Sequence, residues 1–140
     1  MGKLLDRNQL ILRRLADMRP VEPRLRQIFT EGKRFHLLRG TDAAGRPFQA
    51  VKPETAKRRG GTGPPLAPRG AASRIVADYR VSFERLPSAL RVVAGWPMAW
   101  VQHHKAGGRR LPKRDPGGFR EIDKRDAMDA IRRWVFNGDH

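Results

Sequence analysis

The chain has 140 residues, enough for one domain with a modest core and too few for two, so we take residues 1–140 as a single domain. It carries 30 Lys and Arg against 14 Asp and Glu, a net charge of +16, and repulsion on this scale requires polyanions or acidic partner surfaces to offset it. The absence of cysteine excludes disulfides, thiolate metal sites and a cysteine nucleophile. Residues 1–18 mix apolar and charged side chains, so we expect neither a signal peptide nor a membrane partner.

The first part of the chain, residues 1–36, is predicted to be helical. An apolar stripe at helical spacing predicts an amphipathic helix over residues 3–18, which Arg19 and Pro20 end. The stripe consists of Leu4, Ile11, Leu15 and Met18, with Leu5 and Leu12 widening it. Pro23 is suited to the first turn of a second helix, which Gly32 weakens and which we expect to end near residue 36. Its predicted buried face is Leu25, Ile28, Phe29 and Phe35.

Residues 40–73 are predicted to form an extended basic arm. Asp42 and Gly45 supply turn chemistry, and Pro47 favours an extended backbone before Phe48. A single helical turn can open at Lys52 and Pro53 and carry Lys57, Arg58 and Arg59. Residues 60–70 show no periodicity, and their prolines favour a polyproline-like path.

Residues 74–140 are predicted to contain a small antiparallel sheet and a final helix. Apolar and polar residues alternate over residues 74–85, which predicts a strand with one wet face. Its apolar positions are Ile75, Ala77, Tyr79, Val81 and Phe83. Residues 86–89 then act as a turn before a second strand over residues 90–96, with Leu90, Val92, Ala94 and Trp96 on one face. A third short strand over residues 98–104 would complete a meander.

The C-terminal helix has the strongest helical pattern in the chain. Asp123 can cap its start, and Ala127, Ala130, Ile131, Trp134 and Val135 form one apolar face. Together these elements predict an α+β fold.

The sequence offers no catalytic constellation. The adjacent His103 and His104 would point to opposite faces of a strand, so they cannot both bind one metal without distorting the backbone. Asp42, Glu54 and Asp78 stand alone among cations, and the acidic residues of the last helix are balanced by basic neighbours. We therefore expect a protein that is not an enzyme and has no cofactor and no metal site.

Basic residues are the informative class, because two glycine- and proline-rich segments hold much of the charge. We expect them to contact either nucleic-acid phosphates or acidic groups of a neighbouring protein. The predicted contact residues are Lys52, Lys57, Arg58, Arg59, Arg69, Arg109, Arg110, Lys113 and Arg114. Residues 49–78 contain no aromatic side chain, so any nucleic acid would be bound through its backbone and without sequence preference. The predicted interface or core residues are Phe48, Trp96, Trp100, Ile131 and Trp134.

Several motifs, taken in order, resemble the phage virion morphogenesis or tail-completion family, the Mu G-protein-like neck proteins. The first motif is matched by Gly40, Asp42, Gly45, Phe48, Lys52 and Thr55, with Val51 where the family usually has Leu. The later motifs are matched by His103 or His104 with Gly107 and Gly108, and by the run from Leu111 to Arg114. Asp115 then precedes Pro116, where many relatives continue directly to proline. The similarity spans about residues 28–136.

This resemblance implies an α+β subunit that forms a ring at the head-to-tail junction of the virion. Its partners would be copies of itself, head connector or portal-side proteins, and tail terminator or tail tube proteins. Packaged DNA is a further expected partner, and contact of the arm with DNA or with protein stays open. So does the choice between tail-completion, tail-terminator and head-completion roles. The expected location is the virion neck, and the host cytoplasm during assembly. The alternative is a non-sequence-specific nucleic-acid-binding protein that acts alone in the cytosol.

Overall fold

The computed structural model describes residues 2–58, 65–66, 77–87, 89–96, 107, 114 and 117–140. Its elements are α1 (Gly2–Ala16), a 3₁₀ turn (Arg19–Val21), α2 (Glu22–Arg39), α3 (Pro53–Arg58), β1 (Arg80–Leu86), β2 (Ala89–Gly95) and α4 (Glu121–Asn137). Helices combined with a two-stranded antiparallel sheet confirm the predicted α+β class. The expected third strand over residues 98–104 lies outside the described residues, as does most of the arm after residue 58.

The amphipathic helix α1 is present, and it ends two residues before the predicted boundary. The carboxylate of Asp17 accepts hydrogen bonds from the backbone N–H and the guanidinium of Arg19, at 3.1 and 2.8 Å. These bonds hold the chain in a turn before Pro20, and the main-chain N–H of Arg19 is therefore not used to extend the helix. Hydrogen bonding from Arg19 lowers the pKa of Asp17 to about 2.

Helix α2 is longer than the sequence predicts, so the expected boundary near residue 36 is wrong. The helix continues to Arg39 and ends at Gly40, which adopts the left-handed conformation with φ of 65°. Gly32 is a contact position within the helix, because a Cβ at this residue would overlap the carboxylate of Asp123 in α4. Glycine has an unfavourable helix propensity, but at residue 32 it permits the close approach of the two helices. The packing gained in this way outweighs the cost in propensity.

The buried face of α2 also differs from the prediction at Phe35, whose side chain is 42% exposed. Leu25, Phe29, Gly32 and His36 follow each other at helical spacing along the centre of the buried face. This register brings Lys33 and Leu37 inward, and it leaves Phe35 at the edge.

The two strands form an antiparallel hairpin in which Val81 is opposite Ala94 and Phe83 is opposite Val92. The ladder extends to the pair Leu86 and Ala89, so the connection is tighter than the predicted turn over residues 86–89. At the other end, pairing stops at Arg80 and Gly95. Residues 77–79 lie outside the strand, contrary to the prediction, because the described ladder begins at Arg80.

The core lies where α2, the hairpin and α4 meet. Val21, Leu25 and Leu37 are fully buried, and Phe29, Tyr79, Val81, Trp96 and Ala127 join them in one cluster. Leu66, in the short described part of the arm, is 3% exposed and packs in the same cluster. The arm is thus anchored to the core at this residue.

The apolar face of α4 is confirmed, but the predicted cap is wrong. Ala127 and Val135 are buried, and Ala130, Ile131 and Trp134 pack against the core. The residue that precedes the helix is Arg120, with an extended backbone, and Asp123 is the third helical residue. The Asp123 carboxylate is buried and accepts two hydrogen bonds from the Arg120 guanidinium, at 2.8 and 2.6 Å. Its contact with Gly32 and Arg120 explains why it does not cap the helix.

Candidate interaction surfaces

The turn that follows α2 is built around Asp42. Its carboxylate accepts hydrogen bonds from the backbone N–H of Ala44 at 3.0 Å, and from the backbone N–H and the Nε of Arg46 at 2.9 and 3.0 Å. Gly45 has φ of 81°, a conformation that favours glycine. The predicted turn chemistry is therefore confirmed. Burial acts to raise the pKa of Asp42, but the hydrogen bonds from Arg46 and Ala44 outweigh it and lower that pKa.

The segment after this turn forms backbone hydrogen bonds with the residues at the end of α2. The backbone N–H of Phe48 donates to the carbonyl oxygen of Gly40 at 2.7 Å, and Thr41 pairs with Pro47 in an isolated β-bridge. The Phe48 ring is half-buried and packs against the core, in agreement with its predicted core or interface role. Residues 40–48 thus form a closed loop that fixes where the arm begins.

Arg114 connects the start of the arm to a later part of the chain. Its guanidinium is buried, with 5% exposure of the residue, and donates from Nε to the carbonyl of Gln49 at 2.9 Å and from Nη2 to the carbonyl of Ala50 at 3.3 Å. The planar guanidinium, with several N–H donors in a fixed geometry, can bind both of these consecutive carbonyls. Arg114 was expected to be a contact residue, but its side chain is used within the chain, and we leave it out of the contact set.

Helix α3 presents basic side chains to solvent. Pro53 lies at its first position, and the backbone N–H of Ala56 donates to the carbonyl of Lys52 at 2.9 Å. Ala56 is buried, whereas Lys52, Lys57 and Arg58 are exposed. Within the described part of the chain, none of these three forms a salt bridge. The predicted basic turn is therefore present, and it is anchored through Ala56.

The remaining predicted residues divide into two groups. Trp96 is buried in the core, and Ile131 and Trp134 pack against it, as expected for core or interface positions. The others lie outside the described residues: Arg59, Arg69, Trp100, Arg109, Arg110 and Lys113.

Lys33 is an interior cation that the sequence reasoning missed. It is 2% exposed, and its Nζ donates to the carbonyl of Gly118 at 2.9 Å. The same Nζ lies 5.7 and 5.6 Å from the ring centroids of Tyr79 and Trp96. These contacts tie α2 to the hairpin and to the segment before α4. Burial raises the pKa of Tyr79. The signal that could have revealed Lys33 is its spacing of four residues from both Phe29 and Leu37.

Two further side chains gather where α2 and α4 meet. The Phe35 ring has the guanidinium carbons of Arg39 and Arg120 within 4.7 and 4.5 Å of its centroid. His36 is buried, and its Nε2 has no hydrogen-bond partner among the described residues. Burial, and then the charges of Lys33 and Arg120, lower the pKa of His36 to about 4. His36 is thus a neutral packing residue at neutral pH.

Helix α1 leaves most of its apolar stripe in solvent. Leu4, Leu12 and Leu15 are 68%, 64% and 50% exposed. The helix is held at its C-terminal end, where Trp134 Nε1 donates to the carbonyls of Arg14 and Asp17 at 3.2 and 3.1 Å. In return, Arg14 donates to the carbonyl of Val135 at 3.3 Å, so α1 and α4 satisfy each other's terminal carbonyls.

Comparisons with protein-family models, with curated proteins and with solved structures found no match to this chain. In the ranges that the structure describes, no helix combines the length and the apolar character needed to cross a membrane. The same ranges contain no group of three or more His, Asp or Glu side chains that could hold a metal ion.

Proposed function

We propose that this chain is a structural subunit of the head-to-tail junction of a phage particle, of the tail-completion or neck type, and that it is not an enzyme. The proposal starts from the order of the motifs that resemble that family. The observation that carries it further is the contact of Arg114 with the carbonyls of Gln49 and Ala50. This contact brings the end of the motif over residues 111–114 against the motif over residues 40–55. Arg114, the last residue of the later motif, therefore contacts the segment that holds the first motif, which is far from it in sequence.

Two surface properties favour assembly over action as an isolated molecule. The exposed leucines of α1 form an apolar surface of the kind that marks protein interaction sites. The net charge of +16 favours acidic neighbours or DNA, which reduce the repulsion within each copy.

The mechanism that we propose is interfacial. Copies of the chain form a ring between the portal-side connector and the tail terminator or tail tube. Lys57 and Arg58 on α3, and Lys52 just before it, face DNA phosphates or acidic groups of the adjoining ring, and every subunit contributes the same charges. The protein would then be found in the virion neck, and in the host cytoplasm before assembly is complete.

The test is a phage that carries Lys57→Ala and Arg58→Ala. We expect unchanged folding, because both side chains are exposed, together with impaired joining of tails to filled heads or loss of packaged DNA. A matched control removes two other exposed charges, Arg34 and Arg125, and should leave joining intact. Infectious titre, electron microscopy of particles and nuclease protection of the DNA give the readouts. Normal titre and normal DNA retention in the first variant would contradict the role of α3.

Electron microscopy of purified particles also tests the location itself. A tag on the chain should label a ring between the portal and the tail tube. If the label is absent from particles, the alternative of a nucleic-acid-binding protein acting alone gains support. That alternative predicts tight binding of duplex DNA by the purified monomer, with affinity falling by about three orders of magnitude or more between 50 and 200 mM salt if six to eight phosphates are contacted.

A further inference from the structure

Three exposed leucines of α1 lie on one side of the helix. We use the name α1 stripe for Leu4, Leu12 and Leu15, which fall within about a quarter of the helix circumference at 3.6 residues per turn. Ile11, at the edge of this sector, is half-buried. Leu10 is also exposed, at 46%, but it projects from another side of the helix. The helix thus provides an apolar stripe together with an exposed leucine that does not belong to it.

The α1 stripe continues into a groove on the same molecule. The groove has a volume of about 530 Å³, and Leu15 is common to it and to the stripe. Its other principal lining residues are Met18, Leu86, Pro87, Leu90, Met128 and Ile131, from the end of α1, the tip of the hairpin and α4. Met128 is 49% exposed there. The exposed polar side chain of Asn8 lies between Leu4 and Leu12 on this side of the helix, and Leu15 joins the stripe to the groove. We name the stripe and the groove together the α1 surface.

The exposed charges of helix α1 are mainly positive. Helix α1 carries exposed Lys3, Arg7 and Arg13, and its only acidic residue is Asp6. Among the described residues, Arg85 is the only charged residue that lines the groove, and its guanidinium pairs with Glu22 at 3.3 Å. A second copy would bring the same positive charges to the contact, whereas a partner with acidic residues beside its apolar face would complement them.

The shape of the α1 surface favours a protein partner over a lipid bilayer. A helix that binds a membrane inserts a convex apolar face between headgroups. Here the apolar surface is partly concave, because three elements form the walls of the groove. A concave apolar groove is filled by the side chains of an amphipathic helix.

We propose that the α1 surface binds an amphipathic helix of another protein, whose apolar face is flanked by Asp and Glu. The apolar side chains of that helix fill the groove and cover Leu4 and Leu12, and its carboxylates face Arg7 and Arg13. This proposal goes beyond the role of α3 in the proposed function, because it concerns a different surface and an identifiable partner chemistry.

The experiment uses the immobilised full chain and a displayed library of helical peptides. Every peptide has a leucine stripe at i, i+3, i+4 and i+7, and the positions beside the stripe are randomised among Glu, Gln and Lys. We expect the selected binders to be enriched in Glu at those positions. Enrichment of Lys, or no enrichment, would overturn the proposal.

Variants of the chain then locate the binding. Leu12→Gln, and separately Leu4→Gln, should weaken binding of the best selected peptide by about tenfold, because each removes an apolar side chain from the contact. Leu10→Gln is the matched control on the same helix and should change the affinity by less than about twofold. Arg7→Glu combined with Arg13→Glu should reduce the preference for Glu. Equal effects of the Leu10 and Leu12 changes would place binding elsewhere.

Two further measurements test whether a second copy of the chain or a lipid surface binds the α1 surface instead. Sedimentation velocity would detect self-association that Leu12→Gln abolishes, and co-sedimentation with vesicles of phosphatidylcholine and phosphatidylglycerol would detect lipid binding that the same change abolishes. Either result, without selection of acidic peptides, would overturn the proposal. The variant proteins are compared with wild type by circular dichroism and thermal melting, which should be unchanged because the replaced side chains are exposed. All these measurements use the isolated chain, so a negative result leaves the particle experiment on α3 unaffected.

Discussion

The two terminal helices, α1 and α4, make opposite use of the same sequence pattern. Both are amphipathic helices of similar length with apolar residues at helical spacing. In α4 that face is covered, and Ala127 and Val135 are 6% and 4% exposed. In α1, Leu4 and Leu12 are 68% and 64% exposed. The periodicity predicts that a helix has a face to bury, but it does not say whether the covering surface belongs to the same chain.

The composition of the two faces explains part of the difference. The α4 face combines small residues with large ones, and α2 packs beside it with the Asp123 carboxylate so close to residue 32 that only glycine fits there. The α1 face consists mainly of leucines, and the helix is fastened at its last turn by hydrogen bonds with Trp134 and Val135. Substitutions in one helix or the other test whether its apolar face contributes to the stability of the free chain.

The largest expected effect is at Trp134. Trp134→Ala removes a large ring that packs against the core, and it removes the donor to the carbonyls of Arg14 and Asp17. We expect the free energy of unfolding to fall by about 3 kcal/mol. Leu12→Ala on α1 is the control and should change it by less than about 0.5 kcal/mol. Urea unfolding followed by circular dichroism measures both. Similar losses in the two variants would mean that the α1 face is covered in the free chain.

The next effect is at the contact between α2 and α4. Gly32→Ala places a Cβ against the Asp123 carboxylate, which cannot move freely because Arg120 holds both of its oxygens. We expect a loss of about 2 kcal/mol in the free energy of unfolding, in spite of the better helix propensity of alanine.

The matched control for this change is Gly2→Ala at the start of α1, where no atom of the described residues, apart from the helix's own backbone and the adjacent residues, lies within 4 Å of the added Cβ. It should leave the free energy of unfolding unchanged within about 0.5 kcal/mol. Equal stability of the two alanine variants would show that α2 and α4 are less closely packed than the structure indicates.

The smallest effect concerns His36, which is enclosed by the same contact. Its pKa is lowered from 6.5 to about 4, so between these pH values the unfolded chain binds a proton that the folded chain does not. The contribution of the neutral His36 to the free energy of unfolding is therefore fully present above about pH 6.5, and it is lost as the pH is lowered toward 4. The surrounding charges of Lys33, Arg120, Asp123 and Asp42 contribute to this response.

His36→Leu should remove this part of the acid sensitivity, a difference of about 1 to 2 kcal/mol between wild type and variant, after allowance for solvent screening. Urea unfolding at a series of pH values measures it. The exposed His140 provides the control, since His140→Ala should preserve the wild-type slope. If the free energy of unfolding of His36→Leu depends on pH as it does in wild type, the acid response belongs to the carboxylates.

The features that could be predicted from the sequence are those determined by near neighbours along the chain. The turn at Asp42 and Gly45 depends on hydrogen bonds that span four residues or fewer, and it is present as expected. The apolar face of α4 and the alternation of Val81 and Phe83 in β1 depend on the helical and strand periods. The position of Phe35 was mistaken because the register of α2 in the core includes Lys33, which the apolar pattern did not count.

The candidate contact residues also divide into those whose position depends on near neighbours and those whose position depends on distant contacts. Lys57 and Arg58 could be placed on an exposed helical turn from their own neighbours, and they lie there. Arg114 could not be separated from the other basic residues, because its partners are the carbonyls of Gln49 and Ala50, more than 60 residues away. Its basic side chain is the same in either role, and only the contact distinguishes them.

The sequence alone determined the α+β class, the presence of the amphipathic terminal helices, the basic turn and the strong positive charge, because propensity, periodicity and charge are properties of short segments or of composition. Only the tertiary structure decided that Lys33 and Arg114 are interior, that Gly32 is a contact with Asp123, and that the leucines of α1 stay exposed. These outcomes depend on which distant surfaces meet and on how closely they pack, and a pattern within one segment carries no record of the segment that it will contact.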